Sequence, residues 1–122
     1  NYLILFKCLK NEGEVFMKFG VVISTTDPET VFNAIRLANF SAKKGDETKI
    51  FLLGKGVEIE QIESEKFDVK PQIDSFLENS GEIMACGTCL KLRNQKETDV
   101  CPISTMNDLY ELINDSDKVV TF

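Results

Sequence analysis

Short apolar runs alternate along this chain with longer stretches whose apolar residues recur at helical spacing. Lys18-Phe19-Gly20-Val21-Val22-Ile23 reads as a buried strand. Thr26-Asp27-Pro28-Glu29 then supplies a capping side chain, a proline suited to a first helical turn, and an acid favourable to the helix dipole. Val31, Ala34, Ile35, Ala38 and Ala42 continue at helical spacing, and Gly45 follows Lys43-Lys44, which predicts a helix over 28–44. A second strand, Lys49 to Leu53, empties into a tight loop, Gly54-Lys55-Gly56, and residues 57–68 are acidic and weakly patterned. Pro71 should open the next helix, with Ile73, Phe76 and Leu77 inward and Gly81 as its stop. A third strand, Ile83-Met84-Ala85, leads straight into Cys86-Gly87-Thr88-Cys89 and a short helix bearing Leu90 and Leu92. A brief strand at 100–103 follows, then a helix capped by Ser104 and Thr105 with Met106, Leu109, Leu112 and Ile113 inward, and a last strand over 118–122.

The order βαβαβαβαβ predicts a single-domain three-layer α/β/α sandwich around a mainly parallel five-stranded sheet. Ligands of such sheets gather at the carboxyl ends of the strands. Three loops are expected to meet there: Ser24-Thr25-Thr26, Gly54-Lys55-Gly56 and Cys86-Gly87-Thr88-Cys89. The domain should span 17–122. Met17 stands directly before the first strand, so residues 1–16 are expected to be a translated leader or extension outside the core fold. The competing reading makes Tyr2 to Phe6 an extra edge strand.

Composition narrows the function classes. The 122 residues, 43% of them hydrophobic, suit one domain. With 14 Lys plus Arg against 20 Asp plus Glu, the net charge of -6 argues against direct nucleic-acid binding and against anionic membrane surfaces. No apolar run approaches the roughly 20 residues of a membrane helix. Four cysteines, at 8, 86, 89 and 101, are too few and too scattered for a secreted disulfide framework. The opening Asn1 to Lys7 lacks the basic region and cleavage site of a signal peptide, so a cytoplasmic setting is expected.

Chemistry, if present, centres on Cys86. A cysteine between a strand end and a helix start lies near unpaired backbone amides, and Lys91, Arg93 and Lys96 follow closely, so an anionic sulfur is expected. The competing reading is a buried cysteine serving as a small hydrophobe. Histidine is absent, which excludes a Cys-His dyad and any imidazole base. A sulfur working alone suits thiol exchange, in which the thiolate accepts and passes a group such as sulfane sulfur. Cys86 and Cys89 also form a CxxC, which admits dithiol redox work or half a zinc site; Cys101 offers a third thiol, but nothing supplies a fourth ligand, so no metal is expected. Cys89 and Cys101 are accessory candidates, and Cys101 could face the same cleft. Gly87 and Thr88 should shape the pocket, with Ser24, Thr25, Gly54 and Gly56 as further pocket or anion-binding positions, although two glycines alone also make a plain turn. Glu58, Glu60, Glu63, Glu65 and Asp68 read as a solvated face or a dock for a basic partner.

Four segments carry a family likeness: Lys18-Phe19-Gly20-Val21-Val22, Phe51-Leu52-Leu53-Gly54-Lys55-Gly56-Val57, Ala85-Cys86-Gly87-Thr88-Cys89 and Asp117-Lys118-Val119-Val120-Thr121-Phe122. With them the chain resembles the DsrE/DsrF-like sulfur-trafficking proteins, which include the subunits of the bacterial Tus relay and the YchN-type proteins. The resemblance implies a flavodoxin-like fold, assembly into homotrimers or hexamers, and a persulfide on Cys86 passed between donor and acceptor proteins without a cofactor. Some members of the family lack the cysteine, so two alternatives to a sulfur carrier or sulfurtransferase stay open: a non-catalytic oligomeric binding or regulatory module, and a CxxC dithiol oxidoreductase.

Overall fold

A computed structural model describes residues 16–122; the leader expected at 1–16 and the alternative strand Tyr2 to Phe6 lie outside this range, apart from Phe16. The elements run β1 (Lys18–Ile23), α1 (Pro28–Lys43), β2 (Glu47–Leu52), a 3-10 segment (Gly54–Gln61), α2 (Val69–Glu78), β3 (Glu82–Cys86), α3 (Gly87–Leu92), β4 (Ile103–Ser104), α4 (Met106–Asp115) and β5 (Lys118–Thr121). The five strands form one sheet in the order β4-β3-β2-β1-β5, and every pairing is parallel. The α/β fold class expected of the alternating pattern is therefore the observed one.

Connectivity divides the helices between the two faces. The steps from β1 to β4 all move one way across the sheet, so right-handed crossovers lay α1, α2 and α3 on one face; the return to β5 reverses direction and sends α4 to the other. Accordingly α1 packs on α2, while α4 rests on β1, where the glycine at position 20 leaves room for the Leu112 side chain. Val21, Ile23, Ile50, Leu52 and Ile83 from the strands are sealed from solvent together with Val31, Ile35 and Phe76 from the helices. At roughly 25 cal/mol per Å² of apolar surface, this continuous cluster is the main favourable term in folding.

Helix ends follow local chemistry. Asp27 caps α1 by accepting from the Thr30 amide at 3.0 Å, Pro28 occupies the first turn, and Gly45 leaves the helix at φ 100°. α2 differs from expectation at both ends. It begins at Val69, with Pro71 still inside the first turn, where no N–H is needed. Its exit uses Ser80 at φ 65°, and Gly81 serves a different purpose, because a Cβ there would run into the Phe76 ring. α4 is capped by Thr105 alone, reciprocally with Asp108 at 3.2 and 2.7 Å, while Ser104 is buried in β4. Only Leu109 and Leu112 of its expected inner face are buried. Met106 (60% exposed) and Ile113 (52%) stand in solvent, because the sheet offers this lone helix a strip only two residues wide.

The largest correction concerns residues 54–61. The tight loop expected at 54–56 opens a run of 3-10 turns with Gly56, Val57 and Ile59 buried, and the Gly56 backbone passes so close to the end of β1 that a Cβ would collide with the Ile23 carbonyl. Gly54, at φ 55°, has open space around its α-carbon. Gly56→Ala should therefore cost about 3 kcal/mol through displaced backbone, whereas Gly54→Ala should cost about 1 kcal/mol through its left-handed conformation alone. Denaturant unfolding of the two variants checks this, and equal losses would contradict the close approach at Gly56.

Candidate active site

Cys86 is the last residue of β3 and the N-cap of α3, with φ -58° and ψ 116°. The turn is tight because β4 lies beside it: a Cβ on Gly87 would sit 3.0 Å from the Ile103 side chain and 3.2 Å from the Ser104 carbonyl. The Cys86 side chain is only 3% exposed, while Cys89 is half-buried and Thr88 open to solvent. Cys86 and Cys89 are both free thiols, one helical turn apart at the start of α3. The Cys89 sulfur also accepts from the Gly54 amide at 3.2 Å. The 3-10 segment thus reaches the cysteine turn.

Burial pushes the Cys86 thiol above its usual range, and the adjoining Cys89 thiol adds to the rise. The backbone amides of Cys89 and Thr88 pull the other way and lose. This corrects the expectation of an anionic resting sulfur. The bases that were to supply the field are engaged elsewhere or open to water: Arg93 meets Glu58 at 3.5 Å and donates to the Cys89 carbonyl at 3.1 Å, while Lys91 and Lys96 are exposed. Cys86 rests as a neutral thiol.

The remaining candidates divide. Gly87, Thr88 and Gly54 join the thiol pair. Gly56 belongs to the packing of the segment, its amide donating to the Leu53 carbonyl at 2.9 Å, so it is not a free anion donor. Ser24 and Thr25 close β1, two strands or about 10 Å from β3. Both the amide and the hydroxyl of Ser24 donate to the Phe122 carbonyl at 2.9 Å, and the Thr25 hydroxyl accepts from the Asp27 amide at 3.1 Å. These contacts tie down the switch point between β1 and β5 and the start of α1; the thiols gather at β3 instead. The three loops share an edge, and the middle one meets both others, at the end of β1 through Gly56 and at the cysteine turn through Gly54, while Ser24 and Thr25 stay apart from the thiols.

Cys101 is buried with 4% exposure and does not join the pair. Desolvation and the nearby Glu60 carboxylate push its thiol up to about 12, against a pull downward from Thr98. Among the described residues no three side chains of metal-binding type converge, so the three thiols form no ligand set. Sequence reasoning missed the contribution of the acidic stretch. Glu58 holds Arg93, and Glu60 accepts from the Thr98 hydroxyl at 3.2 Å, whose oxygen in turn accepts from the Cys101 amide at 3.1 Å. Glu97 accepts from the Ile103 amide at 2.9 Å and so blunts the edge strand. Their opposite-charge and hydroxyl partners lie 35 or more residues away, or across an irregular loop, and no local periodicity announces them.

A parallel five-stranded sheet with two free cysteines at its carboxyl edge defines the class: a small single-domain α/β protein. The chain belongs to the DsrE/DsrF-like family, which it matches over residues 17–122. It is similar to an uncharacterized protein of Methanocaldococcus jannaschii, 36% identical over 115 residues that cover 87% of this chain and all of the relative. It is also similar to an uncharacterized protein of Methanopyrus kandleri, 32% identical over 101 residues covering 77% of this chain and 83% of the relative.

Because the resting Cys86 thiol is held neutral, its alkylation rate should climb through pH values above the ordinary thiol range, about 8.5. Cys89→Ala removes two influences that raise the Cys86 pKa while leaving the backbone amides in place, so the midpoint should move down. Iodoacetamide kinetics across pH, resolved by peptide mass, check both; a wild-type midpoint at or below that of a free thiol would contradict the burial account.

Proposed function

We propose that this protein is a sulfur carrier that takes sulfane sulfur onto Cys86 as a persulfide and hands it to an acceptor thiol, in the manner of a small sulfurtransferase. The observation that carries the reading is the placement of Cys86: a thiol at the carboxyl end of β3, with the amides of Thr88 and Cys89 favouring its charged form and the Cys89 thiol against it. Such a sulfur exchanges without an imidazole, and the sequence has none. Family membership supports sulfur relay as the setting. Burial supports protection of the cargo, since it shields a persulfide on Cys86 from water and stray thiols. Donor and acceptor are then proteins, each presenting a thiol or persulfide, in a reducing cytoplasmic compartment. Among the described residues no helix is long and apolar enough to cross a membrane.

Loading with inorganic polysulfide followed by intact mass tests the proposal. Wild type should gain one sulfur atom and Cys86→Ser should not. A protein that never gains sulfur would favour a non-catalytic binding module, and one that loses two hydrogens without first gaining a sulfur atom, with both Cys86 and Cys89 required, would favour a dithiol oxidoreductase.

The carrier is further proposed to act as a homo-oligomer, a trimer or hexamer. Met106, Ile113 and Tyr110 (66% exposed) form an apolar stripe at helical spacing along α4, the kind of surface that association covers. Light scattering should return three or six times the chain mass, and Tyr110→Glu with Ile113→Glu should reduce it; a monomer in the wild type would end this part of the proposal.

A further inference from the structure

Two thiols on one helical turn do more than one thiol can. We propose that Cys89 discharges a persulfide that finds no acceptor: its sulfur attacks the Cys86 sulfur, closes a Cys86–Cys89 disulfide and expels hydrosulfide. The inference rests on Cys86 as the sulfur carrier proposed above, and it assigns the protein a second outcome, reductive release of the cargo.

The step balances within the loaded chain. The bond between the Cys86 sulfur and the sulfane sulfur breaks, and its electron pair leaves with the outer sulfur, which is reduced to sulfide. The bond between Cys86 and Cys89 forms, so the two cysteine sulfurs end as a disulfide. The Cys89 proton goes to water or to the departing hydrosulfide, and no outside oxidant takes part. An external dithiol then restores both thiols by ordinary exchange.

Three independent features favour this direction. Cys89 follows Cys86 by three residues, one turn into α3, so the nucleophile is held close to its target at the sequence spacing of a CxxC disulfide. The Gly54 amide, arriving from a different part of the chain, donates to the Cys89 sulfur at 3.2 Å and fixes that sulfur in place. The third feature is the choice of sulfur. Attack by Cys89 on the outer sulfur would expel a Cys86 thiolate into a site that is 3% exposed and penalises charge, whereas attack on the Cys86 sulfur expels hydrosulfide, the conjugate base of a stronger acid than either cysteine. Exchange is faster with the better leaving group. A bound acceptor thiol competes by reaching the outer sulfur first, so delivery and discharge are decided by whether a partner is present.

The test uses the full chain, reduced, loaded with inorganic polysulfide under anaerobic conditions, freed of excess reagent, and followed by intact mass and by a hydrosulfide assay. Wild type should lose its added sulfur, release one equivalent of hydrosulfide, and end two hydrogens lighter than the reduced protein, with the bridge mapped by peptide mass to Cys86 and Cys89. Cys89→Ser, in which the Gly54 amide keeps an acceptor, should still take up one sulfur on Cys86 and hold it at least about ten-fold longer. Equal lifetimes of the adduct in wild type and Cys89→Ser would overturn the discharge while leaving carriage intact. Failure of every variant to take up sulfur would overturn carriage and discharge together.

Discussion

The close passage of Gly56 beneath the carbonyl of Ile23 is the contact on which the working edge of this protein depends. A side chain at that position would push the 3-10 segment off the end of β1. Seated there, the segment carries Gly54 to the Cys89 sulfur and Glu58 to Arg93, and it buries Val57 and Ile59 beside the sheet. One backbone approach therefore couples the end of β1 to a turn two strands away, and it orients the second thiol without any side-chain ligand.

Charge is arranged around the thiols more economically than the composition suggests. Twenty acids outnumber fourteen bases, yet the acids nearest the cysteines are occupied: Glu58 neutralises Arg93, Glu60 and Thr98 brace the loop that carries Cys101, and Glu97 covers an amide of β4. Cys86 is left with burial as the dominant influence. A sulfur held neutral by desolvation is slow to react at rest, and it becomes more nucleophilic once a partner or a shift of the turn admits charge. Reactivity in such a site is controlled by access.

The sheet order explains why the thiols sit where they do. Parallel sheets of this kind usually bind ligands at the point where the strand order reverses, here between β1 and β5. Ser24 fills that point by donating twice to the Phe122 carbonyl, which fastens the last strand to the first. The thiols gather instead at the end of β3, where β4 is only two residues long and the short helix α3 turns back immediately. A brief edge strand and a tight turn leave the CxxC accessible from the side while the Cys86 sulfur stays inside.

Much of this was legible in order of sequence. Apolar runs at 18–23, 49–53, 83–85 and 118–122, separated by helical periodicity, determined a parallel α/β domain, because buried strands and one-sided helices have patterns that admit few other arrangements. Cap residues placed α1 almost to the residue, and the position of Cys86 between a strand and a helix singled it out. The misreadings share a physical cause. Residues 54–61 look like a tight loop and a weakly patterned stretch because their burial comes from contacts with Ile23 and Cys89, far away in sequence. The inner face of α4 looked wider than it is, because the width of the sheet strip beneath a helix is not written in the helix. The charge state of Cys86 was misjudged because desolvation depends on everything packed around the sulfur, whereas neighbouring amides and bases can be counted along the chain. The sequence by itself determined the fold class and which cysteine stands between a strand end and a helix start, both of which follow from short-range pattern. Only the tertiary structure decided that Cys86 is neutral, that Cys89 is held by Gly54, and that Cys101 stands apart, since each depends on which distant groups exclude water or offer a hydrogen bond.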